Sequence, residues 1–340
     1  SWLSLGYTQQ NALGSWLAAL LGVYGIGFLM MLWSSGVIAL FRLHRNKWAL
    51  PLLALIPVLA IVPKPDWEGT ALGTARLQQF RMKDAQGSLT PSPVEGAGRP
   101  DLVVWPEYSF YAEPSGWPRR FTVPVARETA WGMIFGAIRR APEAGQDAYY
   151  NTAYIMSPDG ELIGEAVKNR PVQFMRDGIA ADDVVVIPLK IHDAANTRTL
   201  RLGVGICYDG AYQQYTRRMA QRGAELLVFP TMNAKEWGPI QYRQHQRMFQ
   251  MRAAETRRGV LVAAYSGPTF AAAPNGSAIR TAPFNERLAI DVFIPAPGGP
   301  TLFTLAGWLL GPICVALLVT VLLALAASRW RPEFVKKETV

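Results

Sequence analysis

Charge-free apolar runs flank a long segment in which short apolar stretches alternate with polar turns. Residues 16–41 contain no charged side chain and are long enough to cross a hydrocarbon layer of roughly 30 Å. Arg42, His44, Arg45 and Lys47 follow directly. Residues 48–62 are shorter and carry Pro51 and Pro57, so a span here must thin the bilayer, pack on other helices or extend into its flanks. Residues 302–327 are again uncharged and lead into Arg329, Arg331, Lys336 and Lys337. Basic flanks favour the cytoplasm. The pattern therefore predicts a membrane region over 1–65 with spans at about 16–41 and 48–63, and an outer domain over 66–300. A C-terminal transmembrane helix over 301–328 and a cytoplasmic basic tail over 329–340 complete it. In a bacterium the outer domain is periplasmic and the chain sits in the inner membrane. The chain opens at Ser1 without Met or a signal peptide, and reads as a fragment of a longer membrane protein.

Inside 66–300 the period changes to that of short buried strands. Strands are predicted over 73–82, 102–105, 133–138, 150–156, 161–168, 184–189, 200–206, 225–230, 260–264, 277–280 and 287–293, and helices over 211–222 and 241–258. Ser157-Pro158-Asp159-Gly160 reads as a hairpin turn, and 83–99 and 169–183 as loops. Such alternation predicts an α/β domain whose sheets are covered by helices.

Composition agrees: half of the residues are hydrophobic and only 17% are charged, low for a soluble chain of 340 residues. The net charge of +9 is concentrated in the two basic flanks and otherwise dispersed, which fits anionic lipid better than nucleic acid. No Cys/His cluster suggests a metal, and no glycine-rich loop before a helix suggests a phosphate cofactor.

Three residues stand where a buried strand meets a loop: Glu107 after 102–105, Lys168 at the end of 161–167, and Cys207 after 202–206. Each has an ordinary alternative as an exposed loop acid, a surface lysine or a packed core thiol. The chain has two cysteines, Cys207 and Cys314, and the second falls in the last apolar run, so no disulfide framework is implied. Cys207 is then a free thiol in an oxidising compartment. A strand-to-helix elbow, with Asp209 capping the helix from 211, would lower its pKa and aim backbone N–H groups at an oxyanion. Trp105, Pro106 and Tyr108 around Glu107 would raise that carboxyl's pKa by desolvation. A base, a cation and a thiol are what acyl transfer through a thioester needs. His245 could form a thiol-protease dyad with Cys207, but no orienting residue accompanies it. Glu255, behind an apolar helix face, reads as a core-orienting residue.

The motifs Val103-Val104-Trp105-Pro106-Glu107, Tyr150-Asn151-Thr152, Lys168-Asn169, Gly205-Ile206-Cys207-Tyr208-Asp209 and Met251-Arg252-Ala253-Ala254-Glu255, in this order, resemble the carbon–nitrogen hydrolase (nitrilase) superfamily. The membrane arrangement, with residues 1–7 and 22–31, is similar to the apolipoprotein N-acyltransferase family. That resemblance implies a nitrilase-like αββα sandwich with flanking transmembrane helices, working as a monomer without a cofactor. It implies that Cys207 takes an acyl chain from a phospholipid as a thioester and passes it to the α-amino group of a diacylglyceryl apolipoprotein. Glu107 is then the base and Lys168 the oxyanion partner, with Tyr208, Asp209 and Trp237 around the oxyanion and substrate. The same set can serve a membrane-tethered amidase or nitrilase, and an inactive paralogue is the remaining alternative. The chain departs from the pattern in three places. The family's second glutamate is absent, with Asp177 the nearest acid; Asp209 stands in place of a glutamate; and Trp237 is displaced.

Overall fold

The structure, a computed structural model, describes residues 4–43, 65, 67, 69–79, 99–110, 131–173, 175–192 and 197–329. The apolar stretch 48–63, most of the expected loop 83–99 and the basic tail from 330 lie outside the described residues.

A helix, α1 (Ala12–Leu43), precedes a run of strands: β1 (Ala71–Gln79), β2 (Leu102–Val104), β3 (Gly132–Arg140), β4 (Tyr149–Met156), β5 (Leu162–Val167), β6 (Val185–His192) and β7 (Thr197–Val204). Helix α2 (Gln213–Gln221), β8 (Leu226–Thr231), α3 (Gly238–Thr256), β9 (Gly259–Ala264), β10 (Phe270–Ala272), β11 (Ala278–Thr281) and β12 (Leu288–Pro295) follow, and α4 (Leu302–Ala306) and α5 (Leu310–Arg329) close the described chain. Among the described residues the strands form two six-stranded sheets, ordered β12-β1-β2-β3-β4-β5 and β11-β10-β9-β8-β7-β6. Each has a parallel centre, β1-β2-β3 in one and β7-β8-β9 in the other, extended by antiparallel neighbours.

The apolar runs look continuous in sequence because both faces of each central strand are buried. Leu102, Val104, Ile134, Ala153 and Ile155 point between the sheets, where they meet Leu202, Val204, Leu226, Val228, Leu261 and Ala263. Their neighbours Val103, Trp105, Met133, Phe135, Tyr154 and Met156 form a second cluster on the outer face of the first sheet. Leu227, Phe229, Val260 and Val262 on the outer face of the second sheet pack under Met248, Phe249, Met251 and Ala254 of α3 and Tyr215 and Met219 of α2. β10 escapes sequence reading because three small or aromatic residues carry no alternation. It is held by its pairing with β9 and β11.

The predicted helix over 211–222 divides. Cys207–Ala211 is a 3-10 turn, and α2 begins only at Gln213 with Tyr212 at its N-cap. Asp209 does not cap it: both carboxylate oxygens turn back toward the strand side, as described below. Gly223 ends the helix as expected, at φ +86° and with its N–H on the Ala220 carbonyl at 3.0 Å.

Two helices among the described residues are long and apolar enough to cross a membrane, Ala12–Ala39 and Leu302–Ser328. The first is kinked at Gly22, where φ is +70° and an added Cβ would meet Gln213 and Phe303. Below the kink Val23 begins a new helical half, and its N–H donates to Glu255 Oε1 at 2.7 Å. Glu255 is fully buried, paired with Arg252 through its other oxygen and bonded by Gln213. Arg252 in turn donates to the Tyr7 hydroxyl, and the Glu255 carbonyl accepts from Thr301 Oγ1 at 2.6 Å. One residue of α3 therefore ties the α/β sandwich to the start of both apolar helices. This is a positioning role, as expected for Glu255, and its ion partner is Arg252.

Candidate active site

Glu107 is aimed by an arch in its strand. Trp105 N–H still donates to the Ile134 carbonyl at 2.8 Å, and Phe110 rejoins β3 by donating to the Gly136 carbonyl at 3.2 Å. Pro106 still accepts from Gly136 N–H at 3.2 Å, and Glu107–Ser109 then leaves the ladder, with Tyr108 at φ 55° and Ser109 Oγ closing the arch on the Pro106 carbonyl at 2.6 Å. The arch fits only because residue 136 has no side chain: a Cβ there would lie 2.6 Å from Glu107 Cα and 2.7 Å from Tyr108 N. These are backbone atoms and cannot step aside. Gly136→Ala is expected to displace Glu107 and cost activity at least tenfold, together with a lowered melting temperature of the purified chain.

Lys168 follows β5, whose end lies at the same edge of the sheet as the end of β2. Its ammonium is 2.8 Å from Glu107 Oε1 and 2.6 Å from Asp177 Oδ2, and only 1% of the residue is exposed. Asp177 comes from the 169–183 loop. Its Oδ1 accepts from Tyr108 OH at 2.8 Å and Asn151 Nδ2 at 3.0 Å, and its Oδ2 from Val172 N–H at 2.7 Å. Asn151 Nδ2 also donates to Glu107 Oε1 at 2.6 Å. A buried ammonium is thus held between two carboxylates, and an amide bridges them.

Cys207 leaves β7 at φ 45°, a strained conformation for a residue with a side chain. Its Sγ lies 3.5 Å from the Met232 carbonyl oxygen, while Met232 N–H donates to Glu107 Oε2 at 2.7 Å. A single residue after β8 therefore sets the thiol and the carboxylate side by side. Asp209 fixes the elbow. Its Oδ2 accepts from Ile206 N–H at 3.0 Å, and its Oδ1 from Asn169 N–H at 3.0 Å and Arg170 N–H at 2.8 Å, strapping the turn after Lys168 to the turn of Cys207.

The electrostatics differ from the expectation of a lowered thiol pKa. Burial raises the Cys207 pKa well above that of a free thiol, Glu107 and Asp177 push the same way, and Lys168 and the Met232 carbonyl contact oppose them without winning. The 3-10 turn that follows is too short to supply the dipole of an α-helix. The thiol therefore rests protonated and needs a base beside it. Burial disfavours the Lys168 ammonium, but the carboxylates of Glu107 and Asp177 outweigh that cost and hold it charged.

Asp209 offers a pH test. Burial raises its pKa to about 6, against the lowering by its backbone hydrogen bonds and Lys168. A raised folded-state pKa means that its stabilisation is present below the ordinary carboxylate value and is lost as pH rises through about 6. The melting temperature of wild type relative to Asp209→Asn is expected to fall between pH 4 and pH 7, measured as the difference between the two proteins across that range.

The structure brings Glu107, Lys168 and Cys207 together. Tyr208 stands next to them, half-buried and edge-on to Tyr212 with ring centroids 5.4 Å apart. Trp237 sits half-buried at the foot of α3, on the loop that leaves Met232. His245 is buried with its ring 4.9 Å from that of Phe249, and burial and Lys168 lower its pKa to about 3, so it stays neutral. Sequence reasoning gave no role to Asp177 beyond its proximity and none to the Met232 backbone, and it read Tyr108 only as a desolvating neighbour of Glu107, not as the hydrogen-bond donor to Asp177. The one available signal for Asp177 was charge: a buried lysine beside a base calls for a second acid.

The carbon-nitrogen hydrolase family profile matches residues 95–294, well over half of the chain, and the chain belongs to that family. Its fold is shared by a branch 10 nitrilase-superfamily member of Saccharomyces cerevisiae (TM-score 0.55, 19% identity, 65% of this chain and 89% of that one). The NitFhit protein of C. elegans shares it too (TM-score 0.55, 18% identity, 67% and 61%). Within the family the chain is similar to proteins named apolipoprotein N-acyltransferase. That of Geobacter metallireducens is 27% identical over 367 residues, covering 93% of this chain and 68% of the relative. That of Pseudomonas putida is 27% identical over 369 residues, covering 95% and 70%. That of Sinorhizobium medicae is 29% identical over 228 residues, and there the chain spans 43% of the relative's length.

Proposed function

We propose that this chain carries the catalytic part of an N-acyltransferase, moving a fatty acyl chain from a phospholipid through a Cys207 thioester to the α-amino group of a diacylglyceryl apolipoprotein. The observation that carries this reading is the placement of Cys207 and Glu107 on the two polar groups of Met232, with the Lys168 ammonium at 2.8 Å from the carboxylate. The apolipoprotein N-acyltransferase relatives supply the direction of the chemistry.

Sγ bonds to the ester carbonyl carbon as its proton passes to Glu107. The tetrahedral oxyanion is held by Lys168 and the Tyr208 N–H, and its collapse breaks the carbon–oxygen bond while Glu107 returns the proton to the leaving glycerol oxygen. In the second half the neutral amine attacks the thioester, Glu107 takes an N–H proton, and the departing sulfur recovers it, leaving an amide and a free thiol. Negative charge moves between Glu107 and the oxyanion and is not created. The Asp177 carboxyl lies 2.6 Å from the Lys168 ammonium, so Lys168 keeps a partner when Glu107 is neutral. The domain stands on the outer membrane face, with α1 below Gly22 and α5 in the bilayer and Arg42 at the cytoplasmic end.

The test is reconstitution into phosphatidylethanolamine vesicles with a synthetic S-diacylglyceryl cysteinyl peptide. The peptide is expected to gain one acyl mass as a hydroxylamine-resistant amide. Release of free fatty acid with an unmodified peptide would replace the transferase reading with a hydrolase.

A further inference from the structure

The elbow that carries Cys207 faces the point where α1 turns toward the membrane. Tyr208 and Tyr212 pack against the cluster that contains Val23 and Ile26, with Met30 beside them. Gly22 lies against Gln213, the residue after Tyr212. Just below, Tyr24, Phe28, Met31 and Leu32 on the second half of α1 are exposed and apolar, a surface for acyl chains. The guanidinium of Arg170 stands over the Tyr212 ring, 5.6 Å from its centroid. Its backbone is fixed by Asp209, so the side chain departs from a rigid strap between Lys168 and Cys207.

Among the described residues, several arginines of the domain are engaged by carboxylates, whereas Arg170, like the half-buried Arg217 and Arg257, is not. Arg76 is paired with Asp291, Arg198 with Glu225, Arg218 with Asp182, Arg222 with Asp183 and Arg252 with Glu255. Among the described residues the Arg170 guanidinium has no carboxylate partner, although the residue is half-buried. A planar fork left open over the Tyr212 ring suits a phosphodiester, which it can grip through two parallel N–H bonds. The reach is also suitable. A 3-10 turn rises about 2 Å per residue, which puts Tyr212 roughly 10 Å from Cys207, and the glycerol backbone has to bridge only part of that distance between phosphate and ester.

We propose that Arg170, set over the Tyr208–Tyr212 pair, binds the phosphate of the phospholipid acyl donor and so presents its ester to Cys207. This deepens the acyl-transfer reading and rests on it. The acceptor lipopeptide carries no phosphate at its diacylglyceryl cysteine, so Arg170 acts in the first half-reaction and not in the second. A free phosphate ion would meet the same guanidinium, and the test separates the two sources.

Two arms test it on the full chain. In the first, single-turnover acylation of Cys207 is followed by intact mass with phosphatidylethanolamine and with p-nitrophenyl palmitate, an acyl donor without phosphate. Arg170→Ala is expected to slow acylation by the phospholipid at least tenfold and leave the nitrophenyl ester unchanged, with Arg170→Lys in between. Equal loss with both donors, or no loss, overturns the proposal. In the second arm, binding of dihexanoylphosphatidylethanolamine and dihexanoylglycerol to Cys207→Ser protein is measured with and without Arg170→Ala. A tenfold weakening confined to the phospholipid supports the site, and equal binding overturns it. Inorganic phosphate binding as tightly as the lipid, and lost with Arg170, would overturn the lipid assignment. The second arm needs no turnover. A wild type that fails to be acylated by phosphatidylethanolamine would sink the transferase reading, while the binding arm would still decide the fate of the phosphate site.

Discussion

Glu107→Gln lowers the rate of Cys207 acylation by about 10²- to 10⁴-fold, the usual worth of a positioned general base. Loss of the Glu107 charge removes one cause of the raised thiol pKa, but burial, the largest cause, remains and still opposes the thiolate. The glutamine also cannot reproduce the hydrogen bonds of the carboxylate. Oε1 of Glu107 accepts from Lys168 and Asn151, and Oε2 from Met232 N–H, so one amide donor of the substituted side chain must face another donor. A modest drop in melting temperature accompanies the kinetic loss. Single-turnover mass spectrometry and a thermal melt on the same preparation separate the two effects.

Lys168→Met is expected to be more damaging to the fold than to any other property. The substitution leaves Glu107 and Asp177 facing each other across a buried site with Asn151 as their common donor. Breaking a buried pair by removing one partner costs about 3–5 kcal/mol, and here two carboxylates lose their cation. A second substitution distinguishes charge from packing. Lys168→Met with Asp177→Asn is expected to recover part of the lost stability in urea denaturation, because one stranded charge is removed, yet to remain inactive. Equal stability of the single and double variants would mean that Asp177 is not ionised beside Lys168.

The three strand-end residues were legible in sequence because each rests on local pattern: a buried run, then a polar residue at its carboxyl end. Open α/β sheets place their sites at that edge. Asp177 was not legible as a partner, since its approach to Lys168 depends on the course of an irregular loop. Met232 was hidden for another reason: it contributes only backbone atoms, which any side chain would supply. Asp209 was misread as a helix cap because an aspartate after an elbow can turn either way. Three N–H donors on the strand side, from Ile206, Asn169 and Arg170, decide the direction. The kink inside the apolar run over 16–41 was not legible: Gly22 breaks α1 and lets its first half pack on α3, with Ala18 and Ala19 buried.

The central claim is that Cys207 becomes an acyl thioester in a step that needs Glu107. Its most direct measurement is the intact mass of the purified chain after incubation with phosphatidylethanolamine, for wild type, Cys207→Ser and Glu107→Gln. An added acyl mass on wild type that hydroxylamine removes, absent from Cys207→Ser and strongly slowed in Glu107→Gln, is the predicted result. An unmodified wild type, or an adduct that persists in Cys207→Ser, would contradict it.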